Sequence, residues 1–238
     1  MNVLFVSLGC DKNLVDSEMM IGMLAEKGYS FTDDETQAEA VVVNTCCFIN
    51  DAKEESINTI LEMAELKKSG QIKALIVAGC LAQRYQEEIQ EEIEEVDAII
   101  GTSAIDVVAQ TLDEVLAGKG SNHIETLDKA PVSGKKRILT TGGHYAYLKI
   151  AEGCNKHCTY CIIPKVRGNY RSVPMETLLA EAKTLAEGGV RELILVAQET
   201  TLYGMDLYGE KILPKLLEKL SEIEELKWIR ILYCYPEE

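Results

Sequence analysis

The sequence holds no apolar run long enough to cross a bilayer: its longest candidate, Ala74 to Ala82, is about half the roughly 18 residues required. It also lacks a basic leader with a small-residue cleavage site. Asn2 to Ser7 runs almost at once into Asp11 and Lys12, which excludes a secretory signal and implies a cytoplasmic, reducing setting. In that setting the eight cysteines are not expected to form disulfides, and metal ligation or catalysis remains for them. Basic residues are scarce in the first half, with 8 against 23 acids in residues 1–120, while residues 121–238 balance at 16 against 16 within a net charge of −15. So acidic a surface disfavours unassisted binding to a phosphate backbone and favours a basic protein partner. No internal repeat or low-complexity tract is present. A 47% hydrophobic content over 238 residues supports one or two packed cores.

Short β-branched runs alternate with amphipathic stretches of helical length, the pattern of βα units on a parallel sheet. The first half predicts strands at Val3–Ser7, Ala40–Thr45, Leu75–Ala78 and Ala98–Ile100, with helices near Ser17–Lys27, Ala52–Lys68, Gln83–Glu94 and Ala104–Leu116. Gly118 to His144 carries glycines, Pro131 and clustered bases without a sustained period, and reads as a linker. The second half predicts strands at Tyr145–Ile150, Glu192–Ala197 and Trp228–Tyr233, and helices at Met175–Glu187 and Leu213–Ile223. The expected organisation is an N-terminal domain over 1–118, a linker over 119–144 and an incomplete second domain over 145–238. Three βα steps do not close a barrel, so the polypeptide is expected to continue beyond Glu238.

Cys10, Cys46 and Cys80 each follow a predicted parallel strand at its carboxyl end, the edge where ligands bind in open α/β sheets. Three buried apolar cysteines would satisfy the same sequence, but their equivalent placement favours one shared site. Gly9 and Gly79, just before two of them, allow sharp turns. A second set, Cys154, Cys158 and Cys161, forms C-x₃-C-x₂-C in one loop, suited to an iron–sulfur cluster or zinc. Zinc would need a fourth ligand, and the local candidate, His157, directly adjoins Cys158. Cys47 and Cys234 read as core residues, and His123, His144, Lys135, Lys136 and Arg137 as solvated linker residues.

The C-x₃-C-x₂-C loop with Tyr160 before its last cysteine resembles the radical S-adenosylmethionine (SAM) signature. The Cys10/Cys46/Cys80 set, with Gly9 to Glu18, Asn44-Thr45-Cys46, Gly79 to Tyr85 and Ile162 to Gly168, is similar to the methylthiotransferase family. The strings Asp11 to Glu18 and Gln198 to Gly204 resemble the branch that modifies a ribosomal protein more than the branch that modifies tRNA. The resemblance departs at Glu199, where Asp is usual, and at Ser172-Val173-Pro174, which lacks an arginine before the proline.

The resemblance implies an α/β fold, with an open parallel-sheet domain followed by the first part of a radical SAM partial (β/α) barrel. It implies two 4Fe-4S clusters, on Cys10, Cys46 and Cys80 and on Cys154, Cys158 and Cys161, with SAM at the second, cleaved on one-electron reduction to attack an unactivated carbon. Tyr160, Gln198, Glu199 and Arg167 are the implied cofactor contacts. The implied reaction adds a methylthio group to the β-carbon of an aspartate in a small-subunit ribosomal protein, with an external electron donor and no membrane partner. Methylthiolation of tRNA adenosine, and a non-catalytic iron–sulfur or metal-binding module, are the competing readings.

Overall fold

The computed structural model describes residues 1–120 and 122–235. They form two compact units, Met1–Leu127 and Asp128–Glu238. The first unit is built on strands β1 (Asn2–Ser7), β2 (Ser30–Thr32), β3 (Ala40–Thr45), β4 (Ala74–Gly79) and β5 (Ala98–Ile100). All pair in parallel in the order β2-β1-β3-β4-β5. Helices α1 (Asp11–Glu26), α2 (Asn50–Lys68), α3 (Cys80–Arg84), α4 (Gln86–Glu92) and α5 (Val108–Leu116) connect and cover them. The middle strands β3 and β4 are buried at every position, which is why their sequences are nearly unbroken apolar runs rather than alternating ones. Strand order reverses between β1 and β3, and that point opens a crevice at the carboxyl edge of the sheet.

The second unit holds a parallel three-stranded sheet ordered β10-β9-β6, from β6 (Tyr145–Lys149), β9 (Glu192–Val196) and β10 (Trp228–Ile231). A short antiparallel pair, β7 (Ala151–Glu152) and β8 (Arg171–Ser172), brackets the second cysteine loop and the short helix α6 (Ile163–Val166). Helices α7 (Met175–Glu187), α8 (Met205–Tyr208) and α9 (Leu213–Ser221) complete the unit. Leu148, Leu178, Leu193, Leu195, Leu216 and Leu220 pack as its core.

Several elements differ from the sequence expectation. Strand β2 is new; with three residues it has no room for a visible alternation. Helix α1 starts at Asp11 rather than near Ser17, because Lys12, Asn13, Asp16, Ser17 and Glu18 are polar yet buried and leave no apolar period to mark the first turns. The single helix expected over Gln83–Glu94 breaks at Tyr85, whose φ of −123° and ψ of 36° leave the helical region. Among the residues read as solvated linker, His123 extends the sheet: its N–H donates to Ile99 O at 2.8 Å and its carbonyl accepts from Gly101 N at 2.9 Å. Arg137 is a correction too. Its side chain is 3% exposed and pairs with Glu181 while donating to Tyr147 O, partners that no local pattern reveals. Cys234 is exposed rather than core, since β10 ends at Ile231 and Tyr233, at φ 54°, turns the chain off the sheet before it.

Candidate metal centres

In the first unit, Cys10 caps α1 after β1, Cys46 follows β3 and Cys80 opens α3 after β4. Strands β1, β3 and β4 are neighbours, so the three thiols come to one edge from adjacent strands, at the topological reversal. Buried side-chain hydrogen bonds stitch the three loops together. Asn13 Nδ2 donates to Leu8 O and to Thr45 O, each at 2.9 Å, and Asn44 Nδ2 donates to Asn13 O at 3.0 Å and Ser17 Oγ at 2.9 Å. Ser56 Oγ clamps Cys46 on both sides, accepting from its N–H at 3.0 Å and donating to its carbonyl at 2.9 Å. Cys80 Sγ reaches Asn13 Oδ1 at 3.8 Å. A Cβ on Gly9, at φ +91°, would lie 2.6 Å from Cys46 Cβ and 2.9 Å from its Sγ, so only glycine lets the Cys10 loop approach Cys46 this closely. Asn13, Ser17 and Asn44 lie inside the strings that carried the resemblance but were given no role there, and Ser56 was not singled out from the sequence. Polar residues beside each cysteine were the one available signal.

Cys47 is buried, and its Sγ faces Cys80 O at 3.3 Å. Burial raises its thiol pKa, and the neighbouring Cys46 adds to the rise.

In the second unit the loop from Cys154 to Cys161 is anchored at its N-terminal end and closes on itself at the other. Cys154 N donates to Gly168 O at 3.1 Å, Tyr170 N donates to Asn155 Oδ1 at 2.9 Å, and Cys161 N closes a turn on Cys158 O at 2.9 Å. Cys154 and Cys161 are half-buried and Cys158 is exposed. Burial pushes the Cys154 thiol pKa up, and Cys161 and Cys158 push it the same way. Tyr160 projects into solvent at 87% exposure. Gln198 follows β9, and its Oε1 is sealed from solvent without a hydrogen-bond partner among the described residues. Arg167 is buried and its Nη1 lies 3.1 Å from Glu152 Oε1, a carboxylate that Lys149 also meets.

Glu152 is buried. Burial opposes its charge, but Arg167 and Lys149 outweigh that and take its pKa from 4.5 down to about 2. A depressed pKa contributes stability that is present above the unfolded value and lost as pH falls, here between 4.5 and about 2. Glu152→Gln is therefore expected to cost about 3–5 kcal/mol at neutral pH, by breaking a buried charge pair that Arg167 and Lys149 share. Urea unfolding of both proteins at pH 7 and near pH 3 checks this, with the gap between them narrowing in acid.

No three His, Cys, Asp or Glu side chains among the described residues converge tightly enough to hold a single metal ion. Both cysteine sets fit a multi-iron cluster better than zinc, because a cluster takes each thiolate at a separate iron whereas zinc draws four ligands onto one centre. Three thiols at a sheet edge in one unit, and three in an anchored loop in the other, are the donor sets such clusters require.

Residues 2–101 match the Uncharacterized protein family UPF0004, and residues 148–237 match the Radical SAM superfamily. The ribosomal protein uS12 methylthiotransferase RimO of Lachnoclostridium phytofermentans is 63% identical over 238 residues, covering 100% of this chain and 54% of the relative. The protein of the same name from Clostridioides difficile is 53% identical over 97% of this chain and 52% of its own length. The chain thus spans about half the length of the curated relatives it matches. Among solved structures, the radical SAM methyltransferase TsrM from Kitasatospora setae, with tryptophan substrate and a SAM analogue bound, is similar with TM-score 0.58 at 13% identity, over 95% of this chain and 53% of that one. The cobalamin-dependent SAM radical enzyme OxsB gives TM-score 0.61 at 14% identity, over 95% and 38%. At that identity the structural likeness concerns the fold alone, an α/β chain whose second part is radical SAM-like. The chain thus carries a UPF0004 match in its first unit and a Radical SAM match in its second, and it is similar along its whole length to relatives named as methylthiotransferases.

Proposed function

We propose that the protein to which this chain belongs is a cytoplasmic enzyme that adds a methylthio group to an aspartate β-carbon of the small-subunit ribosomal protein uS12, using two 4Fe-4S clusters, SAM and an external electron donor. The observation that carries the reading is the pair of three-cysteine sets held on separate units, one at the carboxyl edge of a sheet and one in an anchored loop. The names of the curated relatives support uS12 over tRNA as acceptor. Among the described residues no helix is long and apolar enough to cross a membrane.

Cys154, Cys158 and Cys161 would hold the cluster that works with SAM, and Cys10, Cys46 and Cys80 the other. When bound, the first supplies one-electron chemistry for an unactivated C–H bond, which no side chain can provide. The chain's own residues position and shield. Asn13, Asn44 and Ser56 fix the three loops that carry Cys10, Cys46 and Cys80. Gln198 offers its orphaned Oε1 to a polar ligand, and Tyr160 offers an aromatic face beside Cys161. Arg167, buried against Glu152, supports the far end of the cysteine loop and adds positive potential there.

The test is anaerobic reconstitution with iron and sulfide, then reduction in the presence of SAM with purified uS12 and tRNA offered side by side. Formation of 5′-deoxyadenosine and a mass gain on uS12 alone are expected. A mass gain on tRNA alone would transfer the reading to the tRNA branch, and absence of SAM cleavage from an iron-loaded protein would leave the structural-module reading.

A further inference from the structure

Glu199 has no exposed side-chain surface, yet it is a carboxylate. Its Oε1 is hydrogen-bonded, whereas Oε2 is buried with no hydrogen-bond partner among the described residues and lies beside a cation. Thr201 donates to Oε1 through its N–H at 3.2 Å and through its hydroxyl, and Lys156 Nζ lies 3.1 Å from Oε2. Lys156 sits between Cys154 and Cys158, its own N–H points at Cys154 Sγ at 3.5 Å, and its ammonium lies 3.7 Å from the centre of the Tyr235 ring. One half-buried ion pair therefore joins the middle of the cysteine loop to the segment that follows β9. The loop's other anchors, Cys154 N on Gly168 and Asn155 on Tyr170, lie toward α6 and β8 and leave this side to Lys156.

We propose that Lys156 and Glu199 form a half-buried electrostatic latch that holds the Cys154–Cys161 loop against the end of β9, making both of them positioning residues. Glu199 then acts through Lys156, not as a direct contact to a bound cofactor. A largely desolvated ion pair of this kind fixes geometry more than it adds stability, because its attraction is largely offset by desolvation of the buried Glu199 carboxylate. The latch itself stands on the geometry of the apo chain; its use in cluster binding rests on the proposed function.

Thiol labelling of the apo chain separates the two. Cys154 and Cys161 are half-buried, so their rates with a neutral disulfide reagent, read by peptide mass spectrometry, report how firmly the loop is held. Lys156→Met and Glu199→Gln are each expected to raise both rates about fivefold or more, with Cys10, Cys46 and Cys80 unchanged. Lys156→Arg should stay close to the original rates, and the exchanged pair Lys156→Glu with Glu199→Lys should recover much of the loss. A purely electrostatic role gives opposite signs, because removing the ammonium raises thiol pKa values and slows labelling while removing the carboxylate speeds it. Opposite signs, or no change in either variant, would overturn the latch. If Glu199→Gln fails to fold by circular dichroism, Lys156→Met carries the test, since Lys156 is the more exposed partner, at 26%. Iron uptake by the unsubstituted chain reads the functional assignment separately. An iron-free loop that still loosens in the variants would sink that assignment and keep the latch, whereas an iron-loaded loop indifferent to both variants would do the reverse.

Discussion

Cys158→Ala in the full-length protein is expected to abolish reductive cleavage of SAM, whereas Cys46→Ala leaves cleavage largely intact and removes methylthiolation. The two sets hang on different units: Cys46 lies in Met1–Leu127 and Cys158 in Asp128–Glu238. Each set has its own scaffold. Cys46 is held by Ser56 and by the Asn13 and Asn44 bonds to its neighbours, and the second loop by Gly168, Tyr170 and Glu199. Truncating one thiol therefore removes a ligand without moving the other set. Cys158 is exposed, so its replacement leaves no cavity and the loss is chemical rather than structural. Product analysis for 5′-deoxyadenosine and for methylthiolated uS12 reads the two effects apart. Equal loss of SAM cleavage in both variants would show that the assignment of the two sets is wrong.

Gly153→Ala is expected to cost about 2–5 kcal/mol and to disorder the second cysteine loop. Gly153 adopts φ +73°, and a Cβ there would lie 2.0 Å from Asn169 O and 2.5 Å from Gly168 O. Those are backbone atoms of the segment leading into β8, which cannot swing aside as a long side chain would. Gly209, at φ +75° with nothing within 4 Å of its Cβ position, is the internal comparison, and Gly209→Ala should cost only about 1–2 kcal/mol of conformational strain. Thermal unfolding of both variants, with labelling of Cys154 as the local probe, separates steric from conformational cost. If Gly153→Ala is no worse than Gly209→Ala, the close approach of the two loop ends is not what fixes the cysteines.

What the sequence made legible followed from the physics of each element. Ala40–Thr45 and Met175–Glu187 were readable to the residue, the one because a strand buried on both faces is an unbroken β-branched run, the other because Leu178, Ala182, Leu185 and Ala186 keep a helical period. The cysteine sets stood out because six thiols at strand ends and in one short loop have few other uses. The structural work around them did not. Asn13, Asn44 and Ser56 matter only once β1, β3 and β4 lie side by side, and their hydrogen bonds span 31, 32 and 10 residues of chain. Arg137 was misread for the same reason, its carboxylate partner Glu181 being 44 residues away. The pairing of Glu199 with Lys156 was equally invisible, since Lys156 lies inside another motif.

The central claim is that the two cysteine sets bind separate iron–sulfur clusters, and the iron and acid-labile sulfide content of the anaerobically reconstituted protein tests it most directly. About eight irons per chain are predicted, four from each 4Fe-4S cluster, falling to about four in Cys158→Ala and in Cys46→Ala alike. A content that stays unchanged in either variant, or zinc in place of iron, would contradict it.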